Sequence, residues 1–190
     1  MKIRITPPQR ISATIQLPAS KSISNRALII HALGRGSYLP ENLSDYPCLH
    51  LEQGYICTNP VVRIRKQNDQ YILTIKGKGM LAREEHELAL TEESYLHLKT
   101  KCDGNIISKK RYLIPLKNPQ FHSACPKELI PDKLTIELDV FEAPFAPLVM
   151  AEVEFASLEA ANFFLAPDWF LEDVTSNPAY HNSNMSRRIF

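Results

Sequence analysis

Residues 134–141 read Leu134-Thr135-Ile136-Glu137-Leu138-Asp139-Val140-Phe141. A strand has a side-chain period of two, so Glu137 and Asp139 share one face while Leu134, Ile136 and Leu138 share the other. The same device recurs in five more runs: Val61-Val62-Arg63-Ile64-Arg65, Leu73-Thr74-Ile75-Lys76, Arg83-Glu84-Glu85-His86-Glu87, Lys109-Lys110-Arg111-Tyr112 and Glu152-Val153-Glu154-Phe155. An ordinary half-buried strand sets a mixed polar face against an apolar one. Here the polar face is almost purely ionic. Its basic set is Arg63, Arg65, Lys76, Arg83, Lys109 and Arg111, and its acidic set is Glu85, Glu87, Glu137, Asp139, Glu152 and Glu154.

One Arg-x-Arg or Glu-x-Glu pair is what a solvated sheet face with cross-strand ion pairs would show. Six such strands, each with an apolar side (Val62/Ile64, Leu73/Ile75, Leu134/Ile136/Leu138, Val153/Phe155), favour a different arrangement. A sheet closed with its apolar side outward would need helices and loops to cover it, and its charges would line a lumen. Cations there would grip phosphate oxygens, and carboxylates would hold Mg²⁺ or Mn²⁺.

Working outward, strands are expected at 49–56, 61–66, 71–76, 83–90, 106–114, 133–141 and 149–155. Asn68-Asp69 reads as a hairpin turn, and Gly77-Lys78-Gly79 as a flexible one. Thr91 is placed to cap a helix reaching about Lys101, and Ser157 to cap another through Phe163-Phe164. The N-terminal part reads differently. Short strands are expected at 2–6 and 11–17, followed by a helix capped by Ser20 or Ser22, running through Leu28 and Ile30 to Leu33 and closed by Gly34-Arg35-Gly36. The fold class is mainly β (α+β): an antiparallel, closed or nearly closed β-barrel with a few covering helices.

A length of 190 residues suits one good-sized domain, or one with an extension. The net charge of +1 supplies no global field for a nucleic acid polymer or a membrane, so any electrostatic function must be local. No apolar run is long enough to span a bilayer, and the N-terminus lacks the core of a secretion signal. Cys48, Cys57, Cys102 and Cys125 form no Cys-x-x-Cys and read as free thiols, which implies a cytoplasmic setting. His86 should point away from Glu85 and Glu87, to the other strand face.

The stretch from Leu51 to Ser186 resembles the CYTH family, the triphosphate tunnel metalloenzymes. The resemblance is carried by Glu52-Gln53-Gly54-Tyr55, the six charged runs, Lys76-Gly77-Lys78-Gly79, Ile107-Ser108 before Lys109, Leu113-Ile114-Pro115, and Pro167-Asp168-Trp169. It implies a tunnel of eight antiparallel strands that binds a small-molecule triphosphate with Mg²⁺ or Mn²⁺ and hydrolyses it. The substrate would be inorganic triphosphate or a nucleoside triphosphate. Arg63, Arg65, Lys76, Arg83, Lys109 and Arg111 would bind phosphate. Glu137, Asp139, Glu152 and Glu154 would ligate metal, and Lys76, Glu85 and Glu87 would act in catalysis.

The family's opening strand carries Glu-x-Glu-x-Lys, and no such stretch precedes Leu51. In its place stands a segment that resembles the N-terminus of EPSP synthase (3-phosphoshikimate 1-carboxyvinyltransferase). The matching run is Leu17-Pro18-Ala19-Ser20-Lys21-Ser22-Ile23-Ser24-Asn25-Arg26-Ala27-Leu28. The resemblance maps an anion site, now vestigial, onto Lys21, Ser22 and Arg26. The expected organisation is an EPSP synthase-like fragment at 1–36, a junction loop at 37–50 and a CYTH domain at 51–190. Strand 2–6 or 11–17 would fill the vacant barrel position; failing that, the bare edge allows pairing into a homodimer. Losing the first-strand carboxylates should impair turnover more than binding. The alternatives are a non-catalytic polyphosphate- or nucleotide-binding module and an inactive EPSP synthase remnant.

Overall fold

The computed structural model describes residues 27–33, 42–76 and 85–190, the first of these as backbone alone. Lys21, Ser22, Arg26, Arg83, the 77–79 turn and the strands expected at 2–6 and 11–17 lie outside the described residues.

The strands are β1 (Ala27–Leu33), β2 (Cys48–Thr58), β3 (Val61–Gln67), β4 (Gln70–Lys76), β5 (Glu85–Leu90), β6 (Asp103–Leu116), β7 (Gln120–Phe121), β8 (Leu134–Phe141), β9 (Val149–Phe155), β10 (Phe164–Leu165) and β11 (Glu172–Asp173). The helices are α1 (Glu92–Lys99), α2 (Leu158–Phe163) and α3 (Asn182–Met185). Nine strands form one antiparallel sheet in the order β11-β1-β9-β8-β6-β2-β3-β4-β5, and β7 pairs with β10 apart from it. The order has two ends: among the described residues no pairing joins β5 to β1 or β11.

Local chemistry explains most elements. Asn68 takes a left-handed φ of 51° at the β3–β4 hairpin and its Oδ1 accepts from the His50 amide. The side chains of Thr91 and Ser157 accept from the amides of Ser94 and Ala160, so both helices begin where their caps stand. The helix expected to reach Leu33 is corrected for its described part. Residues 27–33 form β1, antiparallel to β9 from Ala27↔Phe155 to Leu33↔Val149. A run of Ala, Leu, Ile and His is compatible with either state, and the free edge of β9 offers a ladder of backbone partners that an isolated helix does not. β1 lies before residues 37–50 and its partner β9 lies beyond them.

The apolar face of β8 and β9 packs Ile136, Leu138, Ala151 and Val153 against Ala160, Ala161, Phe164 and Phe170. On β2 and β3 the corresponding cover is α1. Tyr95 is buried there; its hydroxyl donates to Glu52 Oε1 at 2.8 Å and Lys99 pairs with Glu52 Oε2 at 2.8 Å. The opposite face carries the charges, and its far end is apolar: Tyr55, Ile107, Phe141 and Met150 pack with Phe145, Val174 and Met185. That C-terminal segment is tied down at the start of β6. The amide and side chain of Asn105 donate to the Ser186 carbonyl, and the side chain also to Arg188 O at 2.7 Å. Gly104, at φ 72°, is required beside it because a Cβ would collide with that same carbonyl. Among the described residues no helix is long and apolar enough to cross a membrane.

Candidate functional site

Register confirms the shared face. Arg63 stands opposite Thr74, Thr74 opposite Glu87, and Lys76 opposite Glu85. Arg111 stands opposite Asp139, and Glu137 opposite Glu152. The centre of the face is buried despite its charge: Asp139 is 0 % exposed, Lys109 2 %, Glu152 7 % and Arg63 8 %. A flat sheet would leave Arg65 of β3 roughly 19 Å from Glu152 of β9, four strands away at about 4.8 Å each. The two nevertheless interact electrostatically, so the sheet curls around this face.

Two ionic groups result. In the first, Lys76 Nζ lies 3.0 and 3.1 Å from the Glu85 carboxylate oxygens, and Arg63 Nη2 lies 3.8 Å from Glu85 Oε1. Arg63 Nη2 also donates to the buried Thr74 hydroxyl at 3.1 Å. In the second, Arg111 gathers three carboxylates. Its Nε and Nη2 each lie 2.6 Å from Asp139, its Nη2 lies 2.8 Å from Glu152, and its Nη1 bonds Glu137. Lys109 bonds Asp139 too, and its ammonium sits 5.0 Å from the centre of the Phe141 ring. Arg65 lies among these groups. Its Nε and that of Arg63 are buried with no hydrogen-bond partner among the described residues, as is Gln53 Oε1.

The electrostatics follow the packing. Burial, then the cations Arg63 and Arg111, pull Arg65 down to about 10. Burial lowers Lys109 against the attraction of Asp139. Burial alone would raise Asp139, but Lys109 and Arg111 override it and hold the carboxyl low. Glu137 is raised, first by burial and then by Glu152, Glu154 and Asp139, against the pull of Arg111.

Nine of the twelve residues picked out by strand parity are thus brought into the two groups or beside them. Glu87 and Glu154 lie at the edge of the face and are exposed; Arg83 is outside the described residues. Parity also marks Thr74 and Gln53, which an ionic criterion passes over because neither is charged. Thr74 shares a face with Lys76, and Gln53 stands opposite Arg65. A cavity of about 460 Å³ lined by Tyr46, Ile114, Leu116, Ile136 and Trp169 lies on the apolar face and holds none of these charges.

Among the described residues, as their side chains stand, no group of three or more His, Cys, Asp or Glu could hold a metal ion. The donor chemistry nevertheless fits a hard divalent cation. Glu137, Glu152 and Glu154 offer only oxygen, the donor type a hard cation takes.

No protein-family model matches the chain. It is 33 % identical over 142 residues to the inorganic triphosphatase of Nitrosomonas europaea, covering 73 % of this chain and 85 % of that protein. It is 34 % identical over 142 residues to the inorganic triphosphatase of Acetivibrio thermocellus, covering 73 % and 80 %. A crystal structure of an inorganic triphosphatase superposes with a TM-score of 0.62 at 27 % identity, over 86 % of this chain and 95 % of that one. A separate match, 67 % identical over 45 residues, is to the 3-phosphoshikimate 1-carboxyvinyltransferase of Bacteroides fragilis. It covers 24 % of this chain and only 11 % of that enzyme. On the curled, charge-bearing sheet and these two matches, each over 73 % of this chain and at least 80 % of the relative, the chain belongs to the inorganic triphosphatase family.

Proposed function

We propose that this protein hydrolyses a triphosphate, inorganic or nucleoside-bound, in a lumen lined by its charged sheet face, with a divalent metal. The observation that carries the reading is the pair of arginines, buried Arg63 and partly buried Arg65, whose enclosed Nε atoms lack partners among the described residues. Buried donors that are not satisfied within the protein call for an anion of matching geometry, and guanidinium groups suit phosphate oxygens. The buried ion pairs around Lys109 and Arg111 support a lumen, because charges on an open sheet face would be hydrated instead.

In this reading Arg63, Arg65, Lys109 and Arg111 bind and orient the phosphate chain, with Arg63 held in place by Thr74. Lys76, fixed by Glu85, faces the terminal phosphoryl group. Glu85 and Glu87 orient a water and accept its proton. The water oxygen bonds to the terminal phosphorus as the bond to the leaving diphosphate oxygen breaks. Glu137, Asp139, Glu152 and Glu154 are the groups that would hold Mg²⁺ or Mn²⁺, which when bound neutralises charge on the phosphate oxygens. Most of the rate would come from positioning and charge neutralisation.

Calorimetric titration with inorganic triphosphate tests the binding part. Replacing Arg65 by Ala should weaken affinity by about tenfold or more, as expected for a charge-assisted bond worth about 1.5–3 kcal/mol. Unchanged affinity would remove Arg65 from the site.

A further inference from the structure

We propose that Arg111 turns metal binding and triphosphate binding into one exchange of partners, so that each is weak without the other. The idea rests on the triphosphate reading above. All three guanidinium nitrogens of Arg111 are engaged by carboxylates: Nη1 by Glu137, Nε by Asp139, and Nη2 by Asp139 and Glu152. Four of its five N–H donors are thus committed, so the guanidinium can offer a phosphate no more than one without leaving those carboxylates. A cation approaching Glu137 and Glu152 while they hold Arg111 would meet the positive guanidinium beside them.

Either step alone is unfavourable. If Arg111 left for a phosphate with no metal present, Glu137, Asp139 and Glu152, all bonded to it, would lose the cation they share. If a metal took the carboxylates with no phosphate present, Arg111, only 12 % exposed, would be a buried charge without a partner. Made together, the two moves leave every charge paired. Lys109 keeps Asp139 compensated throughout, since its bond to that carboxylate need not break. The Nε atoms of Arg63 and Arg65, without partners among the described residues, mark the side from which the anion is awaited. Coupling of this kind is reciprocal between the two ligands.

The test is Mn²⁺ binding to the full chain in phosphate-free buffer, followed by the resonance signal of free Mn²⁺. Three proteins are compared: wild type, Arg111→Met, and Arg111→Met combined with Glu152→Gln. With its internal cation removed, Arg111→Met should bind Mn²⁺ more tightly than wild type by roughly 5- to 150-fold. Adding Glu152→Gln should erase the gain. Because Arg111→Met could fold poorly, melting is recorded as well, and Mn²⁺ should raise the melting temperature of this variant more than that of wild type. Equal or weaker Mn²⁺ binding by Arg111→Met overturns the proposal, as does a gain that survives Glu152→Gln. A variant that is unfolded and not restored by Mn²⁺ also overturns it, since Arg111 would then serve structure alone. Wild-type phosphate release, measured separately, judges the triphosphatase reading and does not alter this comparison.

Discussion

Glu137 and Asp139, two residues apart on one strand face, titrate in opposite directions. Asp139 is held low because Lys109 and Arg111 outweigh its burial. Glu137 is raised because burial and three neighbouring carboxylates outweigh Arg111. Its folded form therefore takes up a proton at a higher pH than the unfolded chain does. Stability lost to its charge is full at neutral pH and is recovered as pH falls through the raised value. Glu137→Gln should thus leave the melting temperature at pH 7 unchanged or higher, with the difference vanishing below the ordinary glutamate range. Thermal scans across pH would check this, and a lower melting temperature at pH 7 would contradict it. The charges themselves were legible from strand parity, because a two-residue period is a local property. Which carboxylate Arg111 holds was not, since that depends on how β6, β8 and β9 stand in register across the sheet.

Among the elements, those with a local signal are where the sequence puts them. Thr91 and Ser157 cap α1 and α2, and Asn68 turns the β3–β4 hairpin. Thr91→Ala should cost about 1 kcal/mol by removing the acceptor of the Ser94 amide. Urea denaturation would show it, and a midpoint equal to wild type would mean that packing of Tyr95 alone fixes the helix start. The case of β1 is different. Ala27 to Leu33 carries no residue that forbids a helix, and its strand state is decided by the edge of β9, a partner more than a hundred positions away in sequence. In register, Ile30 stands opposite Glu152 and Leu28 opposite Glu154. The position beside β9 is therefore filled by a strand with no carboxylate at either place.

For the whole molecule, the consequence is that β1 adds no carboxylate to the charged face beside Glu152 and Glu154. The curl of the sheet and the apolar plug of Val174 and Met185 against Tyr55, Ile107 and Phe141 were not legible from periodicity. Curvature depends on strand order, and the plug comes from a turn-rich tail without a repeating pattern. Both enclose the buried part of the ionic face, where Arg63, Lys109, Asp139 and Glu152 interact more strongly than they would in water. The most direct test is phosphate release from inorganic triphosphate by the full chain, with Mg²⁺ and separately with Mn²⁺, beside a Glu152→Ala/Glu154→Ala variant. The account predicts release that needs the metal and is lost in the variant. Absence of release with either metal, or release undiminished in the variant, would contradict it.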